Sequence, residues 1–158
     1  KEMFENLLIS DMDFRKKSRV LPAYIEIIKQ LSKEDAEFLA ILKNKDLIST
    51  LPILRITLNT KNSSSFSYIS SYAICLQGGQ YIEIPELVLD NLLRLQIVNI
   101  PPNEFSNLHN IYENTFETIK NEPSFLNYSN LPNKYLDFQK QILVFTQFGT
   151  NFIDICFS

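Results

Sequence analysis

Glycine is scarce in this chain: three residues in 158. A phosphate-cradling loop needs several closely spaced glycines, and an all-β fold needs them at its tight turns. Neither is expected here. Histidine occurs once, at His109, and cysteine twice, at Cys75 and Cys156. A zinc site requires several Cys, His or carboxylate ligands at clustered spacing. These three residues are scattered singly, so no metal site is expected, and the two cysteines are expected to be buried small hydrophobes. No apolar run approaches the roughly 18 residues that a membrane-spanning helix needs. This stretch reads as carrying no signal peptide, and the expected location is the cytoplasm.

Charge is also modest. With 15 Lys+Arg against 18 Asp+Glu, the net charge is -3 and the pI is near 5.2. Such a balance gives no general attraction to nucleic acid or to anionic membranes. The 45% hydrophobic and 21% charged content is that of an ordinary globular chain. The length fits one domain or two small ones, and residues 1–158 are expected to form a single domain. Because Lys1 already stands inside an amphipathic pattern, the chain is expected to be a fragment of a longer protein.

The organising stretch is residues 20–43. Pro22 suits a first helical turn, and Tyr24, Ile25, Ile27 and Ile28 supply an apolar face. Ser32, followed three residues later by Asp35, predicts a capping box, with Leu31 placed to staple onto Ala36. Phe38, Leu39, Ile41 and Leu42 then form the expected buried face of a second helix.

Ahead of this pair, residues 1–14 read as a helix through Phe4, Leu7, Leu8 and Met12, followed by a basic connector at residues 15–19. After it, residues 53–58 read as a strand and residues 59–65 as an exposed loop. Residues 66–76 are ambiguous between helix and strand, and residues 77–80 form a turn. Pro85 opens a helix that buries Val88, Leu89, Leu92 and Leu93, and a short strand at 97–100 follows it. Residues 107–120 predict a helix carried by Ile111, Tyr112, Phe116 and Ile119. Residues 121–134 read as a loop or a short interrupted helix. A strand at 141–145 leads to Thr146, the expected N-cap of a last helix with Phe148, Phe152, Ile153 and Cys156 at helical spacing.

The fold class is therefore α+β and predominantly helical. A helix that feeds a short strand, and a later strand that feeds the last helix, would make a two-stranded wing beside a helical bundle. This is similar to winged-helix domains, whose last helix starts on a Thr-x-x-Gly turn. Here that turn is Thr146-Gln147-Phe148-Gly149. Winged helices often place glycine after the leucine-rich helix, but Gln96 stands there, so that turn is expected to be strained or built differently.

Four segments in order, KEMFENLLISDMD, LPAYIEIIKQLSKEDAEFLAIL, LDNLLRLQIVNIPP and LVFTQFGTNFIDIC, also resemble the Abi-alpha (abortive infection alpha) family of bacterial proteins. Residues 57–80 and 103–138 follow the family pattern loosely. The resemblance implies a part in abortive infection, a bacterial defence against phage. It brings no catalytic residues and no cofactor.

Among polar clusters, Asp11 and Asp13 could bind a divalent cation, though a helix end facing solvent accounts for them. Glu34, Asp35 and Glu37 suit the first turn of their helix. Residues 15–19 could meet phosphate, but a solvated connector explains them as well. The helix that would read DNA exposes Glu86, Asp90, Asn91 and Arg94, a poor set for neutralising a phosphate backbone.

The leading expectation is a non-enzymatic module that binds another protein, host or phage, or assembles with itself. No catalytic, cofactor-binding or metal residues are assigned, and nucleic acid is not an expected partner. The alternative is a winged helix that binds phage DNA. A third reading is an enzyme, such as a nuclease, that uses Asp11 and Asp13.

Overall fold

A computed structural model describes residues 1–12, 22–62, 66–105 and 107–157. The protein is α+β. Among the described residues, seven α-helices and five strands run in the order α1 (Glu2–Met12), α2 (Ala23–Gln30), α3 (Lys33–Asn44), β1 (Thr50–Thr60), β2 (Phe66–Cys75), β3 (Tyr81–Ile84), α4 (Glu86–Arg94), β4 (Val98–Asn99), α5 (His109–Lys120), α6 (Pro123–Ser129), β5 (Lys134–Phe145) and α7 (Gln147–Cys156). They form two compact units. The first comprises Lys1–Ser49, Leu87–Asn99 and Val144–Ser158, and the second comprises Thr50–Glu86 and Ile100–Leu143.

In the first unit, the corner between α2 and α3 forms as the sequence predicts. Ser32 Oγ accepts from the Asp35 N–H at 3.0 Å, and the Ser32 N–H donates back to the Asp35 carboxylate at 2.7 Å. The burial differs at two positions. Tyr24, Ile27, Ile28, Phe38, Leu39 and Leu42 are buried, whereas Ile25 and Ile41 are exposed. Both fall on the outward side of their helices, so the apolar stripe is narrower than the run of apolar residues suggests.

α4 buries Val88, Leu89 and Leu92 and ends in a left-handed residue, Gln96, at φ 58°. The Gln96 N–H donates to the Leu93 carbonyl, and the Ile97 N–H reaches back to the Leu92 carbonyl. This is a Schellman ending with glutamine where glycine is usual. α3 closes the same way, with Asp46 left-handed and the Leu47 N–H on the Leu42 carbonyl. The expected strain at Gln96 is therefore present, in a helix ending otherwise of standard form.

β4 pairs antiparallel with the end of β5, Val98 opposite Phe145 and Asn99 opposite Val144. α7 then starts on Thr146, whose Oγ accepts from the Gly149 N–H at 2.8 Å. The Thr146 hydroxyl also lies 2.6 Å from the Gln96 carbonyl oxygen, and the Thr146 N–H donates to the Ile97 carbonyl at 3.1 Å. Gly149 must be glycine for a local reason. A Cβ there would sit 2.1 Å from the Ile97 carbonyl oxygen. On the inner face of α7, Tyr24 meets the rings of Phe148 and Phe152 edge-on, each at 5.5 Å.

The second unit is built on strands. β1 and β2 form an antiparallel pair from Ile53 opposite Ile74 to Asn59 opposite Phe66, and β3 adds to β2. Pro52 lies in β1 ahead of Ile53, the first residue that pairs with β2, so its missing N–H costs no bond in that ladder. The core here gathers Leu54, Ile56, Ala73, Cys75, Tyr112, Ile119 and Phe125.

Three sequence expectations change in this unit. Asn59 and Thr60 belong to β1 rather than to a loop, and Asn59 is buried with its amide on Asp137 at 3.2 Å; residues 63–65 lie outside the described residues. The ambiguous stretch at 66–76 is strand β2, and β3 follows the turn at Gln77–Gly79. β5 begins at Lys134, seven residues before the expected strand, while α6 is the short helix, one of the two readings of residues 121–134. The five strands are ordered β3-β2-β1-β5-β4.

The Gly149 contact and the Gln96 turn make opposite predictions. Gly149→Ala forces a side chain onto backbone that cannot yield, and should lower unfolding stability by about 1–3 kcal/mol or more. Gln96→Gly removes the left-handed penalty against the entropy of glycine, and should raise stability by up to about 1 kcal/mol. Urea unfolding of both variants measures this. A neutral Gly149→Ala would mean that α7 does not start against Ile97.

Candidate functional site

The most developed polar cluster in the first unit sits on the α2–α3 corner. Asp35 is buried, and a buried carboxylate needs partners. Its Oδ2 accepts from both the Ser32 N–H and the Asn91 side-chain amide, the latter at 2.5 Å. The Asn91 amide also donates to the Gln30 carbonyl at 3.2 Å. The Asn91 oxygen in turn accepts from Arg94, Nε at 3.1 Å and Nη2 at 2.7 Å. Arg94 Nη1 completes the chain on Gln30 Oε1 at 2.8 Å. α4 is thereby tied to the corner by four side chains.

This network revises the reading of two residues. Asp35 is more than a dipole complement, and Asn91 is half-buried rather than free on the surface. Glu86, Asp90 and Arg94 are exposed as expected, but the Arg94 guanidinium is held by Gln30 and Asn91. Leu87 is 83% exposed on the same helix. The solvent face of α4 thus presents acids and an apolar side chain, with its one cation engaged.

In the second unit, His109 opens α5 and meets two charged partners. Lys140 Nζ is in hydrogen-bond contact with His109 Nδ1, and Glu113 Oε1 lies 3.6 Å from His109 Nε2. Lys140 Nζ is also 3.9 Å from Glu113 Oε1 and 5.9 Å from the centre of the Tyr112 ring. Glu113 is four residues along the same helix from His109. Lys140 comes from β5, 31 positions away.

Cys75 and Cys156 are buried free thiols, as expected. Burial pushes Cys75 up to about 11, partly offset by the Thr115 hydroxyl and the Leu54 backbone. Burial alone pushes Cys156 up to about 12. Both are thiols at neutral pH and poor nucleophiles. Among the described residues, no three of His, Cys, Asp and Glu are grouped to hold a metal ion. Asp13, the side chain of Asp11 and the basic residues 15–19 lie outside the described residues. Among the described residues, no helix is long and apolar enough to cross a membrane.

Two grooves are open to solvent. One, of about 390 Å³, lies in the first unit between α1, α3 and the end of α7, with Met3, Asn6, Ala36, Ala40 and Phe157 on its walls. The other, of about 560 Å³, lies in the second unit. Residues 138–141 of β5 line it together with Pro101, Glu104, Phe105 and Glu113.

The buried thiols make stability depend on pH in one direction. Each native thiol binds its proton more tightly than an unfolded cysteine at 9.0. As pH rises past 9, the unfolded chain ionises first, and stability falls until the native thiols ionise at about 11 to 12. Unfolding free energy should decline over that window, and decline less in the Cys75→Ala/Cys156→Ala double variant. Equal slopes in the two proteins would contradict the burial of the thiols.

Comparison with known proteins gives three findings. The model of the family described as Abortive infection alpha matches residues 1–156. No curated protein matches the chain. A solved structure, of an uncharacterized protein from the hydrocarbon-degrading marine bacterium Alcanivorax borkumensis SK2, is similar at 15% identity and a TM-score of 0.41, covering 86% of this chain and 96% of that one.

Proposed function

The chain belongs to the Abortive infection alpha family, and on that footing we propose that it is a non-enzymatic protein-interaction module of a bacterial anti-phage defence protein, acting in the cytoplasm. The observation that carries this reading is the solvent face of α4. Leu87 is 83% exposed beside the exposed carboxylates of Glu86 and Asp90. An exposed apolar side chain flanked by charge is the composition of a protein contact rather than of a phosphate contact. The non-enzymatic part rests on the state of the nucleophile candidates. The thiols are protonated, and His109 is engaged by Lys140 and Glu113.

A second reading has a specific observation in its favour. α4 feeds β4, β4 pairs with the end of β5, and β5 feeds α7 on a Thr-x-x-Gly turn. This part is similar to a winged helix, with α5 and α6 inserted between its strands, and it could lie on phage DNA. Its charge argues against this use. Counterion release needs several free Lys or Arg facing the phosphates, and Arg94 already serves Gln30 and Asn91.

Phage challenge of cells with and without the full-length gene, combined with affinity capture during infection, tests the first reading. The expected result is protection that is lost with Leu87→Asp, together with loss of a specific captured protein. Fluorescence anisotropy with labelled duplex at low salt separates the second reading, since electrostatic binding is strongest there. Micromolar binding that weakens steeply with salt and disappears with Arg94→Ala would replace the interaction module by a DNA-binding one.

A further inference from the structure

We propose that the edge of β5 along residues 138–141 takes up an extended peptide segment of a partner protein, one that carries a basic side chain between apolar ones. This rests on the interaction-module reading and assigns it a surface.

Strand pairing supplies the first argument. β5 runs from Lys134 to Phe145, yet β4 pairs only with Val144 and Phe145. On that side, residues 134–143 have no strand partner among the described residues. The Gln141 carbonyl already accepts from the Tyr112 hydroxyl and the Phe138 N–H meets the Asp137 carboxylate; the other backbone groups of a strand edge left in this condition are what another chain can pair with.

The groove in the second unit supplies the next. Phe138, Gln139, Lys140 and Gln141 all line it. Successive side chains of a strand point to opposite faces of the sheet. A groove that touches four consecutive residues therefore follows the strand's edge instead of one face. Its volume of about 560 Å³ leaves room for a few residues of extended chain. Adding a strand at such an edge is a common mode of peptide recognition, with backbone hydrogen bonds for affinity and side-chain pockets for selection.

Its chemistry selects the occupant. Pro101, Phe105 and Phe138 make apolar walls, and Phe105 is 58% exposed. Phe138 is steadied against Phe116, ring centres 4.4 Å apart. The side-chain oxygen of Gln141 is buried and has no hydrogen-bond partner among the described residues. A buried acceptor in that state is unfavourable, and an incoming N–H would relieve it. Charge in the groove comes from Glu104, Glu113 and Lys140. The lysine is already engaged by His109 and Glu113, while Glu104 is exposed and forms no ion pair among the described residues. The rim is left acidic, which favours a basic side chain on the incoming strand.

The test uses the purified full-length chain and a dye-labelled, end-blocked octapeptide of alternating Lys and Val. Two controls accompany it: the same peptide N-methylated at alternate amides, and a Glu–Val counterpart. The expected result is saturable binding of the Lys–Val peptide, weakened at least tenfold by N-methylation and at least fivefold by Glu104→Lys. Glu104 lies outside the core, and an unchanged melting curve will show that the variant is folded. Absence of saturable binding overturns the proposal. So does binding that ignores N-methylation, which would be charge attraction alone. A protein that forms a dimer closed to the peptide overturns it as well, because the edge would then belong to a second copy.

Phage challenge with Glu104→Lys separates this proposal from the reading beneath it. Protection lost together with peptide affinity supports the edge assignment. Protection retained by a variant that no longer takes the peptide overturns it and leaves the interaction module standing.

Discussion

The first unit depends on the approach of α7 to the backbone of Ile97. Ile97 is fully buried, so its peptide groups must be paired inside the protein. Its N–H reaches back to Leu92, and its carbonyl takes the N–H of Thr146. One hydroxyl links the same place to the next helix, since Thr146 Oγ is 2.6 Å from the Gln96 carbonyl oxygen and accepts from Gly149. The end of α4, the strand β4 and the start of α7 are thus fixed by a few atoms around one residue. Gly149 is what permits it, because any Cβ would occupy the space of the Ile97 carbonyl.

A second constraint is the buried carboxylate of Asp35. Leaving it unpaired would be strongly unfavourable. Its partners come from the corner itself and from Asn91 on α4. Satisfying that acid consumes Asn91, and Asn91 together with Gln30 holds Arg94. Structure and function are coupled here in a simple way. The same hydrogen bonds that orient α4 withdraw its cation from solvent partners, and what the helix then shows outward is Leu87 and its carboxylates.

The caps were legible in the sequence because their signals are local. Ser32 and Asp35 are three positions apart, as are Thr146 and Gly149, and each pair states a hydrogen bond that its own backbone can make. Pairings across the chain were not legible. Asn91 and Asp35 are separated by 56 positions, and His109 and Lys140 by 31, and no spacing rule joins residues so far apart. The early part of β5 was missed for another reason. Leu136 and Phe138 are half-buried while Tyr135, Asp137 and Gln139 are exposed, a true alternation of period two. An aromatic on the exposed side and a lysine on the inner side blur that pattern. β3 is only four residues long and carries too little pattern to stand out from the turn before it.

That blurred alternation bears on what β5 can do. A strand paired on both sides within a sheet tends to be a continuous apolar run or a clean alternation. β5 has its buried apolar residues, Leu143 and Phe145, only near the end that β4 covers. From Lys134 to Lys140 the sequence is that of a strand with water along one edge, and charged residues on such a stretch discourage indiscriminate pairing. Lys140 serves two ends at once. It is a residue of the strand, while its ammonium group is drawn to His109 and Glu113 and over the Tyr112 ring. Once that cation is held by the protein's own α5, it no longer guards the edge against a positively charged visitor. The edge protection is therefore selective. It acts against acidic strands, which would meet Glu104 and Glu113, and leaves the approach open to basic ones.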